Sequence, residues 1–185
     1  MTMQRRANAR DEILEAAEWV VTERGAGHLR LDAVAERAGV SKGGLLYHFP
    51  SKEALLRAMV SGVLERCTAD RREARATTAP AEDAAGDLKA MIATGFRVAA
   101  ERRRVSAALL AAGAEDPRLL TPVREWHQAN LREFAAGKRY PLRVLVLMLA
   151  MDGLWMNELL EISPVDGEVR EALMGEMFAL ADGTV

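Results

Sequence analysis

The 185-residue sequence predicts an all-α fold: a three-helix helix-turn-helix module followed by a larger helical domain, about nine helices in all. Three observations carry that expectation. Apolar residues recur at helical spacing along the whole chain. Two short helical segments meet at Gly39-Val40 and are held between longer ones, the pattern of a helix-turn-helix. Beyond residue 76 the periodicity continues, interrupted by breaks at Arg102-Arg103-Arg104, Gly113 to Pro117, Gly137 to Pro141 and Ser163-Pro164.

The elements follow in order. A first helix fits Ala9 to Arg24, with Asn8 as cap, Ile13, Ala17, Val20 and Val21 on one face, and Gly25 as its stop. A second runs from Leu31 to Ala38 and ends at Gly39, where a left-handed residue is expected. Ser41 caps a third of about two turns, ending at Tyr47 or His48 before Pro50. Ser51 caps a fourth, which carries Leu55, Leu56, Met59, Val60, Val63, Leu64 and Cys67 toward Ala76. The segment 77–87 is the best linker candidate, and further helices are expected at 82–101, 104–113, 117–136, 141–162 and 167–181. The corresponding domain boundaries are 1–50 for the helix-turn-helix, 51–76 for a connecting helix and 77–185 for the larger domain.

Composition removes several classes of function. Half of the residues are apolar and 28% charged, ordinary values for a globular protein with a sizeable core. The single cysteine, Cys67, excludes an intramolecular disulfide and suits a reducing cytoplasm. The first residues are polar and charged, unlike a signal peptide. The most apolar run, residues 144–151, is too short to span a bilayer and is bounded by Arg143 and Asp152, so no membrane partner is expected. Cys67 and the three histidines (His28, His48 and His127) lack metal-ligand spacing, and no phosphate-binding loop, dinucleotide fingerprint or nucleophile elbow is present. The expectation is therefore a cytoplasmic non-enzyme without a metal or other cofactor. Net charge is −2, and charge alone does not argue for a polyanion partner.

Residues 38–53, AGVSKGGLLYHFPSKE, stand out. Gly43 and Gly44 are poor helix formers, each costing about 1 kcal/mol against Ala, so core packing does not explain them. A role at DNA does. The second helix of a helix-turn-helix lies in the major groove and presents its N-terminal residues to bases and phosphates. Ser41 and the first-turn amides then place donors near phosphate, and Gly43 and Gly44 let backbone approach closely. Lys42, Tyr47, His48 and Lys52 complete the candidate DNA-binding set, while Leu45 and Phe49 form the face that holds the helix to its module. Out of context, Tyr47 and His48 also suit a half-buried pair. Arg5, Arg6 and Arg10 fit either a minor-groove arm or a solvated tail.

The same stretch resembles the DNA-binding module of TetR-family transcriptional regulators. Ala38, Gly39, Val40, Ser41, Lys42, Gly43, Leu45, His48, Phe49, Ser51, Lys52 and Leu55 match the family signature, and residues 13–25 resemble its first helix. The likeness covers roughly residues 9–60. Two positions depart from it. Leu46 stands where an aromatic is common, and Gly44 where Thr or Asn often contacts DNA, which points to more readout through backbone and DNA shape.

The resemblance implies a sequence-specific regulator, a repressor released from an inverted-repeat operator by an apolar or amphipathic small molecule. It also implies a homodimer through the last two helices. The helix at 141–162 is apolar on nearly every side between Val144 and Met151, which calls for core on one face and a partner on the other. Leu147, Leu154, Val169, Leu173, Met177 and Leu180 are the candidate interface residues, and Trp126, Met148, Met151 and Trp155 the candidate effector contacts. For each of those Met and Trp residues ordinary core packing is the competing reading, and Asp116, Glu158 and His127 are possible polar anchors. Two other functions stay open at this level: a helical DNA-binding protein without an effector, and a carrier or enzyme in the larger domain.

Overall fold

The structure, a computed structural model, describes residues 3–78, 85–95 and 100–183. Among the described residues it contains α-helices and two 3-10 turns but no strand. The helices are α1 (Met3–Arg24), α2 (Leu31–Arg37), α3 (Lys42–His48), α4 (Lys52–Thr78), α5 (Gly86–Gly95), α6 (Ala100–Glu115), α7 (Thr121–Ala135), α8 (Pro141–Leu159) and α9 (Gly167–Asp182). The 3-10 turns are Ala26–His28 and Pro117–Leu120.

Local chemistry explains the ends of these helices. Gly39 takes a φ of 65°, the left-handed conformation that any side chain would resist. The Gly39 amide donates to the Glu36 carbonyl at 3.2 Å and the Val40 amide to the Ala35 carbonyl at 3.0 Å, closing α2 in a Schellman motif. One residue later Ser41 starts α3: its Oγ accepts from the Gly44 amide at 3.1 Å. Ser51 repeats the device on α4, accepting from the Ala54 amide at 3.0 Å.

Several boundaries differ from the sequence reading. α1 begins at Met3 rather than Ala9, since the intervening Gln, Arg and Ala residues are good helix formers. α6 continues through Arg102-Arg103-Arg104, where a break was expected. Arginine is a strong helix former and successive helical residues do not face one another, so three in a row do not end a helix. The expected helix at 117–136 opens instead as a 3-10 turn, because Asp116 caps it by accepting from the Arg118 amide at 3.1 Å. Most of the proposed 77–87 linker, and residues 96–99 of the proposed helix at 82–101, lie outside the described residues.

The chain forms two compact units. One comprises Met1–Val63 with Glu101–Val123, the other Leu64–Ala100 with Arg124–Val185. In the first, Ile13, Ala17, Val20 and Val21 of α1 are buried together with Val34, Leu45, Phe49, Leu55, Leu56, Met59 and Val60. The second is built on Leu88 and Ile92 of α5, Phe134 of α7, Val144, Leu147, Met148, Met151 and Leu154 of α8, and Met177 and Ala181 of α9.

That second core corrects the interface assignment. Leu147, Leu154 and Met177 are 2%, 8% and 3% exposed within a single protomer, so they are core residues with no surface left for a partner. α8 divides its apolar residues between two faces: Val144, Leu147, Met148, Met151 and Leu154 turn inward, while Leu142, Val146 and Leu149 remain 75%, 61% and 60% exposed. On α9 the other candidates separate likewise, with Val169 and Leu180 exposed and Leu173 packed partly against the core. Leu147→Ala is therefore expected to lower folding stability by about 2–5 kcal/mol, the usual cost of truncating a fully buried leucine. Urea denaturation checks this, and a loss below 1 kcal/mol would contradict the assignment.

Candidate nucleic-acid interface

α3 has seven residues, too few for a helix to persist on its own in water. Burial holds it. Leu45 is fully buried and Phe49 is 3% exposed, an i, i+4 pair that faces the module core as its spacing predicts. Arg10 of α1 stacks over the Phe49 ring, with its guanidinium carbon 5.5 Å from the ring centre. Arg10 is thus a helical residue tied to the module, not part of an extended arm. The side chains of Arg5 and Arg6 lie outside the described residues.

Fixing Leu45 and Phe49 inward determines what faces out. Ser41, Lys42, Gly43, Leu46 and Tyr47 are exposed, whereas Gly44 and His48 are half-buried. Tyr47 is 70% exposed, which removes the half-buried reading of its ring; it meets His48 edge-on with 5.2 Å between ring centres. Lys42 pairs with Asp32 of α2 at 2.9 Å, both side chains well exposed. Lys52 donates from Nζ to the Gly27 carbonyl at 2.8 Å, tying α4 to the first 3-10 turn. An ammonium carries three donors, so that bond uses one of them.

The two glycines differ. A Cβ at residue 43 would come no closer than 4.0 Å to Ser41 Oγ, so nothing in the fold itself requires glycine there. At residue 44 the same atom would lie 3.3 Å from the capping oxygen. Gly44 thus serves the cap at least as much as the surface, and its amide is spent on Ser41. Sequence reasoning noted Leu46 only as a departure, for the aromatic group it lacks. Its exposure supplies an apolar group at the position of the missing one, suited to a thymine methyl.

In the second unit the candidate effector residues are buried or half-buried. Met148 and Met151 are core, and Met151 occupies the space beside Gly95 that any side chain at that position would need. Trp126 is half-buried, its Nε1 donating to Thr68 Oγ1 at 3.0 Å, and Trp155 is half-buried on α8. Concavities of about 320 Å³ and 330 Å³ occur in the first unit, lined by residues such as Gly27, Lys52 and Asp116 or Trp19 and Arg37; neither includes Trp126, Met148, Met151 or Trp155.

The suggested anchors are engaged elsewhere. Asp116 is bonded to Arg118, which holds its carboxyl below the usual range, and Glu158 pairs with Arg170 at 2.9 Å. His127 Nδ1 lies 3.6 Å from Asp152, whose carboxyl is raised by burial against the opposing effect of that histidine. Sequence reasoning missed Arg71 and Asn130, both buried. Their signal was a polar residue on an apolar stripe: Val60, Leu64, Cys67, Arg71 and Ala74 on α4, and Val123, His127, Asn130 and Phe134 on α7.

No helix among the described residues is long and apolar enough to cross a membrane, and no group of three or more His, Cys, Asp or Glu side chains among them is placed to hold a metal ion.

Comparison with known proteins agrees with this architecture. The family described as "Bacterial regulatory proteins, tetR family" matches residues 13–59. That described as "Tetracyclin repressor-like, C-terminal domain" matches residues 86–182. The HTH-type transcriptional regulator RutR of Escherichia coli (strain K12) is 44% identical over 68 residues, 37% of this chain and 32% of its own length. The match thus spans about a third of that regulator. Among solved structures, a TetR-family transcriptional regulator from Rhodococcus sp. superposes with a TM-score of 0.73 at 24% identity, covering 95% of this chain and 99% of its own. The multidrug binding protein EbrR complexed with imidazole gives 0.68 at 25% identity, over 91% and 93%. The helix-turn-helix and more than half of the remaining sequence are thereby accounted for, and the chain belongs to the TetR family of bacterial regulatory proteins.

Proposed function

We propose that the protein is a cytoplasmic, DNA-binding transcriptional repressor rather than an enzyme. It acts as a homodimer on an inverted-repeat operator and is released by a small-molecule effector. One observation carries the DNA half of this reading: burial of Leu45 and Phe49 turns Ser41, Lys42, Gly43, Leu46 and Tyr47 outward together on one short helix. Lys42 and the Ser41 and Tyr47 hydroxyls are donors for phosphate, Gly43 permits close backbone approach, and Leu46 offers an apolar base contact. His48 and Gly44 sit at the edge of this surface, and Lys52 flanks it with the donors that Gly27 leaves over.

Residues 1–50 take the DNA-binding role in this scheme, 51–76 connect, and 77–185 bind effector and partner. The chain passes from one compact unit to the other inside α4, at the start of α6 and inside α7. α4 is therefore not the sole route for a signal, because Glu101–Val123 packs in the same unit as the helix-turn-helix. The effector shifts DNA affinity by its differential affinity for two arrangements of these units, typically 1–3 kcal/mol of coupling.

Dimerisation rests on the exposed stripe of α8, Leu142, Val146 and Leu149, together with the exposed Val169 and Leu180 of α9. Two-fold pairing there presents two copies of α3 to successive major-groove faces about 34–36 Å apart.

Three outcomes test this reading. Gly43→Ala is expected to stabilise the free protein by up to about 1 kcal/mol, as alanine is the better helix former, while weakening binding to DNA from its own promoter region. A thermal melt and fluorescence anisotropy measure the two effects, and unchanged DNA affinity would contradict a close backbone approach. Lys42→Ala is expected to leave the fold intact, since an exposed ion pair contributes about 0–1 kcal/mol, and to lower the salt dependence of DNA binding by about one phosphate contact. An unaltered salt slope would remove Lys42 from the interface. Leu149→Glu is expected to give a folded monomer in sedimentation experiments where the wild type is a dimer; a wild-type monomer, or a dimer that survives the substitution, would refute the assigned surface.

A further inference from the structure

Arg71 on α4 and Asn130 on α7 are 7% and 3% exposed, and Arg71 Nη1 donates to Asn130 Oδ1 at 2.9 Å. A guanidinium has donors only, so the amide oxygen of Asn130 must face it and the amide nitrogen must point elsewhere. Among the described residues, that Nδ2 is the buried side-chain nitrogen or oxygen without a hydrogen-bond partner. Native proteins contain few such atoms, and each calls for an explanation.

The surroundings add apolar surface and a hydrogen bond that is already closed. The Arg71 guanidinium carbon lies 4.7 Å from the Phe134 ring centre, and one turn back on α4 Thr68 accepts from Trp126 Nε1. The ionic partner of Arg71 is Glu133 at 3.5 Å, whose side chain is 55% exposed and so sits at the solvent edge. On the buried side the unpaired Asn130 Nδ2 beside the guanidinium leaves hydrogen-bond donors in surplus.

We propose that Arg71 and Asn130 form the polar anchor of the effector site, and that the effector presents an oxygen acceptor, a carboxylate or amide carbonyl, on an otherwise apolar body. A cationic head would leave Asn130 Nδ2 unpaired and face a guanidinium. An oxygen pairs with the amide and is drawn by the arginine. The proposal rests on the effector reading above and narrows its chemistry from any apolar or amphipathic molecule to acids and amides.

The test uses the full chain and three compounds with one alkyl body, sodium decanoate, decanamide and decylammonium chloride, titrated by calorimetry at submicellar concentration. Decanoate is expected to bind tightest, decanamide next, and decylammonium about tenfold or more weaker than decanoate. Asn130→Leu should bring the acid-to-amine ratio near one. Asn130→Asp keeps the size and the bond to Arg71 but adds an anion, so it should abolish decanoate binding and spare decylammonium. Should Asn130→Leu fail to melt cooperatively, Asn130→Asp decides. Equal affinities for the three heads, a ranking that survives in the folded variants, or no binding of any compound up to millimolar concentration would each overturn the anchor. Release of promoter DNA by the same compounds is read separately. Decylammonium releasing DNA while decanoate does not leaves the effector reading standing and removes the anchor. Decanoate binding with the expected ranking but leaving DNA affinity unchanged supports the anchor and removes its link to release.

Discussion

The surface offered to DNA depends on the burial of Leu45 and Phe49. A helix of seven residues that begins with two consecutive glycines after its lysine has little stability of its own. Tertiary contact supplies what propensity does not: the two side chains lock α3 into the module core, and the rest of the helix has no choice of face. Gly39 and Ser41 set where α3 starts, through the left-handed turn and the cap. Arg10 over Phe49 and Lys52 at the Gly27 carbonyl hold α1 and α4 to the same small assembly. Every outward group on α3 inherits its direction from that burial.

An equivalent division organises α8. One face supplies the core of the second unit, and the opposite face carries leucine and valine that remain largely exposed. An apolar stripe opposite the core face is available to a partner, which is the role proposed for it above. The exposed stripe recurs at i, i+4 and i+7 through Leu142, Val146 and Leu149, the spacing of a single helix face.

Much of the first unit was legible in the sequence because its signals are local. Caps at Ser41 and Ser51, the stop at Gly39 and the apolar spacing of α1 and α4 each act within a turn or two, and the structure places them accordingly. The second unit was legible only as helices. Whether Leu147 or Leu149 faces the core depends on how α5, α8 and α9 meet, and an all-apolar run does not encode that choice. Arg102 to Arg104 misled because a run of like charge suggests a loop, while backbone propensity favours helix. The candidate site divides along the same line. The inward pair of α3, Leu45 and Phe49, followed from periodicity, whereas Met148 and Met151 were picked by residue type and turned out to be core. Arg71 and Asn130 escaped because their pairing joins positions 59 apart in sequence.

The proposed repressor function depends on α3 as the element that meets DNA. Hydrogen–deuterium exchange of the full chain, with and without a duplex from its own promoter region, tests that most directly. Slowed exchange in peptides covering residues 41–52 is the predicted result, strongest in the backbone from Ser41 to Tyr47. DNA binding accompanied by slowed exchange only in α8 and α9, with 41–52 unchanged, would contradict it.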